Sequence, residues 1–359
     1  MRKVKVRKGM PNVALSKAQF AERFKARFYD PIFAGNEKEI DELLSTAWIS
    51  YDDNHKSPRT RKAGKGFADP SYDLSVDWYA AHKAIRTAER EHRNQRSPSR
   101  ILIINGSMRS DQSCPGEMSK SWRLVELARK TVMAKRGFEV DVLDLSRLAS
   151  EYGRVIHPCK ACVSTAMPLC HWPCSCYPNH ALGQVNDWMN EIYPMWVKAH
   201  GIMIVTPVNW YQAPAGLKAM IDRLVCADGG NPDPTSTHGK NAQAAKALEL
   251  KGWPYPRHLA GRLFSIVVHG DASGAENLRR ILTDWLTDMG LIPAGHKALI
   301  DRYIGYYRDY ATSHDDLDAD RDLQEEVRNA ARALVNAIML HRKGRLKQPD
   351  VELKDPRPK

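Results

Sequence analysis

The sequence predicts an α/β protein with a doubly wound, five-stranded parallel sheet, carried behind a helical N-terminal extension. Three observations lead there. Residues 101–105 (ILIIN), 201–207 (GIMIVTP) and 262–270 (RLFSIVVHG) are short, nearly continuous apolar runs. Such runs mark strands buried on both faces rather than on one. They alternate with segments of helical period, the pattern of parallel strands joined by crossover helices. Each run also ends in a loop rich in Gly, Ser or Pro, and open parallel sheets bind ligands beyond the carboxyl ends of their strands.

The elements can be placed in order. Ser16 caps a helix through about Phe28, with Phe20, Phe24 and Phe28 spaced four apart on one face. Residues 36–49 form a second helix with Asn36 as its cap. Residues 54–70 are polar, basic and rich in Gly and Pro, which predicts a loop. A third helix covers 75–95 and stops at the SPS of 97–99. The sheet region then reads strand 101–105, helix 119–136, strand 139–145, helix 183–199, strand 201–207, helix 214–225, strand 262–270, helix 273–289 and a fifth strand near 297–304. A closing helix runs over 320–342. The division expected is a basic helical extension over 1–98, a sheet domain over 99–310 with a cysteine-rich loop at 157–178, and a C-terminal helix and polar tail over 311–359.

Composition narrows the function classes. The chain has 359 residues, 43% of them hydrophobic, enough to build a core. No apolar run approaches the roughly twenty residues needed to span a bilayer. The N-terminus is basic without an apolar stretch behind it, so it does not resemble a secretion signal, and a reducing cytoplasm is the expected compartment. The net charge is +12 and lies mostly at the front, where residues 1–100 carry 21 Lys and Arg against 13 Asp and Glu. No nucleic-acid motif accompanies that charge, so a solvated helical decoration is expected rather than a nucleic-acid surface.

Three strand-end loops carry the candidate ligand site. The first, 106–122 (GSMRSDQSCPGEMSKSW), combines Ser, Gly and Arg109 ahead of a helix starting at about Ser119. Hydroxyls and backbone N–H groups at a helix N-terminus suit a phosphate. The loop is neither GxGxxG nor a Walker loop, which points to a single terminal phosphate. The second, 208–223, offers Trp210 and Tyr211 as stacking surfaces for a flat heterocycle. The third, 269–274 (HGDASG), has two glycines that admit a ligand close to the backbone.

Taken together and in this order, GSMR at 106–109, TPVNWYQAPAGLKAMIDR at 206–223 and HGD at 269–271 resemble the NAD(P)H-dependent FMN reductase family, whose fold is flavodoxin-like. The resemblance covers about residues 100–300, with Pro207, Gly216, Lys218, Asp222 and Arg223 as its most specific part. It implies that Ser107, Met108 and Arg109 form the phosphate loop, with Ser107, Arg109 and Ser119 on the FMN phosphate. It further implies that Pro207, Val208, Asn209, Trp210 and Tyr211, with His269, Gly270 and Asp271, contact the flavin ring. Two departures stand out: Met108 replaces the family's usual Pro, and the phosphate loop is several residues longer.

Five of the seven cysteines fall within 157–176, HPCKACVSTAMPLCHWPCSC. In the iron–sulfur flavoprotein branch of the same family a compact four-cysteine motif, beginning C-x2-C-x2-C, occupies this place. Here the spacing is C-x2-C-x7-C-x3-C-x-C, so only the first pair matches. The resemblance implies Cys159, Cys162, Cys170 and Cys174 as metal ligands, with Cys176 a fifth thiol. Residue chemistry leaves an iron–sulfur cluster, structural zinc, redox-active thiols and metal-free cysteines all open. His157 and His171 are further candidate ligands, while Cys114 and Cys226 stand alone.

The function implied is an FMN-dependent oxidoreductase passing electrons from NAD(P)H to a quinone, a flavin, a metal or a protein. A homo-oligomer is expected, and no membrane. No catalytic side chain is assigned: Tyr211 and His269 are candidate proton donors to an acceptor, but a wall of the site is the favoured reading for each. The reading from another class is a non-catalytic flavin and iron–sulfur electron carrier or redox sensor that docks a partner through its basic extension.

Overall fold

The computed structural model describes residues 7–8, 15–109, 119–309 and 312–347. The chain forms two compact units, each discontinuous in sequence. One takes Met1–Ala84, Val155–Asn190 and Gly229–Pro256; the other takes Ile85–Arg154, Glu191–Asp228 and Arg257–Lys359.

The second unit holds the sheet. Its strands are β1 (Ser99–Asn105), β2 (Phe138–Asp144), β3 (Gly201–Pro207), β4 (Leu263–Gly270) and β5 (Leu299–Tyr303). They run parallel in the order β5-β4-β3-β1-β2, with a two-residue strand, Ile292–Pro293, beside the start of β4. This is the flavodoxin-like order, which reverses direction between β1 and β3 and leaves a crevice at their carboxyl ends. The register brings those ends level: Asn105 lies opposite Asp144 and Val205, Pro207 opposite His269, and Gly270 opposite Tyr303. All five expected strands are present, each displaced by at most a few residues at its ends.

The helices of this unit are α1 (Lys120–Met133), α2 (Met189–Lys198), α3 (Ala215–Arg223), α4 (Ala275–Asp288) and α5 (Arg321–Arg342). The core on one sheet face joins Ile101, Ile103, Met203 and Val267 to Leu124, Val125 and Ala128 of α1 and to Val327, Leu334 and Ile338 of α5. Helix α5 lies close to β3: a Cβ on Gly201 would fall 2.6 Å from Ile338 Cδ1. A glycine here is a packing requirement, not a conformational one.

Helix α2 is shorter than expected. It begins at Met189 rather than 183, because Gly183 adopts φ +68 and ends a short turn, and Gln184 then pairs with Asn179 in extended backbone. The short helix Ser313–Ala319 was not anticipated from the sequence.

In the first unit, Ser16 and Gln19 form a reciprocal capping box on the helix Lys17–Lys25, and a tighter turn, Ala26–Phe28, continues it. The phenylalanine stripe packs as spaced: Phe20 lies 5.5 Å from Trp48 and 4.8 Å from Tyr51 of the helix Glu37–Asp52. Asn36 precedes that helix without a side-chain capping bond, a correction to its expected role. The stretch 54–70 is not all loop. It contains the strands His55–Ser57 and Thr60–Lys62, the latter pairing antiparallel with Asp73–Ser75. A second unanticipated helix, Ala242–Leu250, is capped by Asn241. The helix Val76–Arg93 carries the chain into the second unit. Among the described residues no helix is long and apolar enough to cross a membrane.

Candidate functional site

The crevice at the carboxyl ends of β1, β3 and β4 is a cleft of about 270 Å³. From the loop after β1 it is lined by Ser107, Met108 and Arg109, and from the head of α1 by Ser119, Lys120 and Ser121. The turns after β3 and β4 add Pro207, Val208 and Asn209 and then His269, Gly270 and Asp271. Ten of the twelve residues expected from the sequence therefore meet in one place. Residues 110–118 of the first loop, with Cys114, lie outside the described residues.

Local hydrogen bonds set the geometry of the first loop. Asn105, buried at the end of β1, donates from Nδ2 to Asp144 Oδ1 at 2.8 Å, and its Oδ1 accepts from the Ser107 N–H at 3.2 Å. Ser107 Oγ in turn accepts from the Arg109 N–H at 3.0 Å. That bond leaves the hydroxyl hydrogen of Ser107 able to donate to an anion. Gly106 allows the loop to leave the sheet, since a Cβ there would fall 2.6 Å from Thr206 Oγ1. Ser119 accepts from the Trp122 N–H at 3.3 Å and so caps α1, whose N-terminus opens into the cleft.

Lys120 and Ser121 were not singled out from the sequence. The signal was there in part: both occupy the first turn of the helix that Ser119 caps, at its positive end. Burial pulls the Lys120 pKa below the usual lysine value, while the carboxylates of Asp271 and Asp316 oppose the shift. Its Nζ also stands 5.2 Å above the Tyr306 ring. Ile304, just after the fifth strand, and Ser313 complete the lining.

His269 is buried, with Nε2 2.7 Å from Ser121 Oγ and no partner for Nδ1 among the described residues. Burial first, and then the charge of Lys120, push its pKa down to about 4, so the ring is neutral at ordinary pH. It is a wall of the cleft and not a cationic acid.

Trp210 and Tyr211 stand apart from the lining. They are the two central residues of a tight turn closed by hydrogen bonds of 2.9 Å in both directions between Asn209 and Gln212. Both have positive φ, +47 and +65, which is uncommon for bulky side chains and marks a turn held by its surroundings. Gly274, itself at φ +105, makes room for Tyr211, and Trp210 is 92% exposed.

In the first unit the cysteine loop gathers differently from the expected ligand set. Cys162 Sγ lies 3.4 Å from Cys176 Sγ and 3.6 Å from Lys240 Nζ, which also donates to the Leu169 carbonyl at 2.8 Å. The bond with Cys176, aided by the Lys240 charge and opposed by burial, lowers the Cys162 pKa to about 6. Burial works against the charge of Lys240, yet Cys176, Cys162, Cys174 and Cys170 raise its pKa above the usual value. Cys159 instead accepts from the Ala161 N–H through its sulfur at 3.3 Å. His171 is fully buried, with both ring nitrogens occupied by Ser175 and Thr237 hydroxyls, and His157 Nε2 bonds the Asn186 carbonyl. Among the described residues, no group of three or more His, Cys, Asp or Glu is placed to hold a metal ion. The four thiols whose charges act on Lys240 are Cys162, Cys170, Cys174 and Cys176, and Cys159 of the expected ligand set is not among them.

Residues 99–303 match the family model for NADPH-dependent FMN reductases, more than half of the chain, and the protein belongs to that family. A curated relative from Methanosarcina thermophila, an iron-sulfur flavoprotein, is 32% identical over 126 residues, which cover 35% of this chain and 52% of that protein. The chain thus spans about half the length of the curated relative it matches. Among solved structures, RosB with a bound 8-demethyl-8-formylriboflavin-5'-phosphate intermediate aligns at a TM-score of 0.46 and 14% identity, covering 69% of this chain and 82% of RosB. The apo form of the NADH:FMN oxidoreductase EMOB aligns at 0.36 and 15% identity, covering 70% and 92%. FerB from Paracoccus denitrificans, an NAD(P)H:acceptor oxidoreductase, aligns at 0.37 and 15%, covering 68% and 98%.

The cleft fits FMN by the chemistry of its donors. The Ser107 hydroxyl, Arg109, Lys120 and the N-terminus of α1 give its lining the cationic, donor-rich character suited to a phosphate. The turns after β3 and β4 complete the lining, where Nδ1 of His269 is a buried polar atom with no partner among the described residues.

Proposed function

We propose that the protein is an FMN-dependent oxidoreductase that draws electrons from NAD(P)H and delivers them to a quinone, a flavin, a metal ion or a protein acceptor. The observation that carries this reading is that Ser107, Arg109, Lys120 and the α1 N-terminus line one cleft together with the β3 and β4 turns. FMN, when bound, supplies the hydride and electron chemistry. The chain's own residues bind and orient. Arg109 and Lys120 offset the charge of a phosphate dianion, and Ser107 donates to one of its oxygens. Pro207, Val208 and Asn209 form one wall beside the flavin ring, and His269, Gly270 and Asp271 the other. His269 stays neutral and holds Ser121 Oγ in place, so its ring is not a cationic proton donor at neutral pH.

The first test is a visible spectrum of the protein purified without oxygen, followed by titration with FMN and then by addition of NADH or NADPH. Flavin bands that appear on binding and bleach with a pyridine nucleotide support the reading. A colourless protein that fails to take up added FMN sinks it. Bound flavin that neither nucleotide reduces leaves the carrier function in place of the enzyme.

A further inference from the structure

We infer that Cys162 and Cys176 form a redox-active dithiol that exchanges with small-molecule disulfides. The inference is independent of the flavin site and rests on the first unit alone. The two sulfurs lie 3.4 Å apart, and a bond of about 2 Å needs them to close by little more than an ångström. Lys240 Nζ is aimed at the Cys162 sulfur at 3.6 Å and is held there by the Leu169 carbonyl.

The two cysteines differ as exchange partners should. Cys162 is half-buried and opens a short turn, Cys162–Ser164, preceded by Ala161 in the left-handed region at φ +49. Cys176 is 5% exposed and lies behind it. Access therefore favours Cys162 for the attack and Cys176 for the resolving step.

The exchange balances without an outside oxidant beyond the disulfide itself. The Cys162 thiolate attacks one sulfur of the small disulfide, forms a mixed disulfide and expels one small thiolate. Cys176, losing its proton, then attacks Cys162 Sγ and expels the second. The protein loses two electrons and two protons as the intramolecular bond forms, and the small disulfide is reduced to two thiols.

The experiment uses the full-length protein, reduced under argon, desalted and exposed to oxidised glutathione. Intact mass, thiol titration in denaturant and peptide mapping are read together. The wild-type protein should lose two hydrogens in mass and two titratable thiols, and one linked peptide should join Cys162 to Cys176. Cys176→Ser should trap one glutathione on Cys162, whereas Cys159→Ser should form the same link as wild type. A link joining other cysteines overturns the inference, as does glutathione distributed over all the thiols without a link. Stoichiometric iron or zinc that must be removed before Cys162 reacts also overturns it, by showing a metal site in its place. The wild-type peptide map decides the matter even if the variants fold poorly.

Discussion

At the residue scale, Lys120 separates recognition of a phosphate from recognition of a ring. It lies at the positive end of α1 and lines the same cleft as Arg109 and Ser107. We expect Lys120→Met to weaken FMN binding by about tenfold, the order of one charge-assisted hydrogen bond, while riboflavin, which has no phosphate, binds as before. Fluorescence titration with both flavins checks this, and equal losses for the two would contradict it. Gly106 is a second single-residue constraint. An added methyl would meet Thr206 Oγ1, Thr206 Cβ and Leu217 Cδ2 within 2.9 Å, atoms of the packed sheet end and not of a free surface. Gly106→Ala should cost about 1–3 kcal/mol in urea unfolding, as overpacking does elsewhere, and should weaken flavin binding by displacing the loop.

At the element scale, α5 anchors the sheet more than its sequence position suggests. Its apolar stripe, from Leu323 through Val327, Ala330, Ala331 and Leu334 to Ile338, is buried, with Leu334 and Ile338 over Gly201 of β3. Leu334→Ala should therefore destabilise the protein by about 2–5 kcal/mol, measured as a lower urea midpoint at unchanged m-value. A cost below about 0.5 kcal/mol, typical of a surface site, would show that the helix does not carry the core. The elements most visible in the sequence are those with a single strong period. The three buried strands and α5 are legible to within a residue or two because their apolar patterns are continuous or strictly helical. Helix α2 was overextended by six residues, since its periodic signal runs past Gly183 and only the local backbone reversal stops it. The strands His55–Ser57 and Thr60–Lys62 are not legible in the sequence because three-residue pairings in a polar stretch leave no period to read.

At the scale of the whole molecule, the sheet unit keeps three histidines neutral. Burial first, then the charges of Arg262 and His200, lower the His92 pKa to about 3. Burial first, then Arg342, lower that of His200 to about 4. His200 Nδ1 accepts the Arg100 N–H at 3.0 Å and Nε2 faces the His92 carbonyl at 3.1 Å, so protonation would break an existing bond. With His269 also near 4, the unfolded chain takes up these protons first, from an ordinary pKa of about 6.5. Their neutral state costs nothing above that pH. Below it the unfolded state gains protons the folded state refuses, and stability falls until the folded pKa values are reached. We expect urea midpoints to drop steadily from pH 6.5 to pH 4, by up to about 1.4 kcal/mol per pH unit for each histidine. His92→Gln should flatten that slope. A midpoint constant from pH 7 to pH 4.5 would contradict the expectation.

The amino-acid sequence by itself determined the α/β class, the five strands and the three loops that meet in the cleft, because these depend on local period and on which residues end each strand. Only the tertiary structure decided three other things. It brought Lys120 and Ser121 into the cleft, since a helix's first turn points wherever the sheet packing aims it. It set Trp210 and Tyr211 on an exposed left-handed turn outside the lining, a conformation that two bulky residues do not advertise. And it paired Cys162 with Cys176 across thirteen intervening residues, with Lys240 supplied from a separate segment of chain. Spacing shows which sulfurs are close along the chain, but which are close in space depends on how the turns between them close.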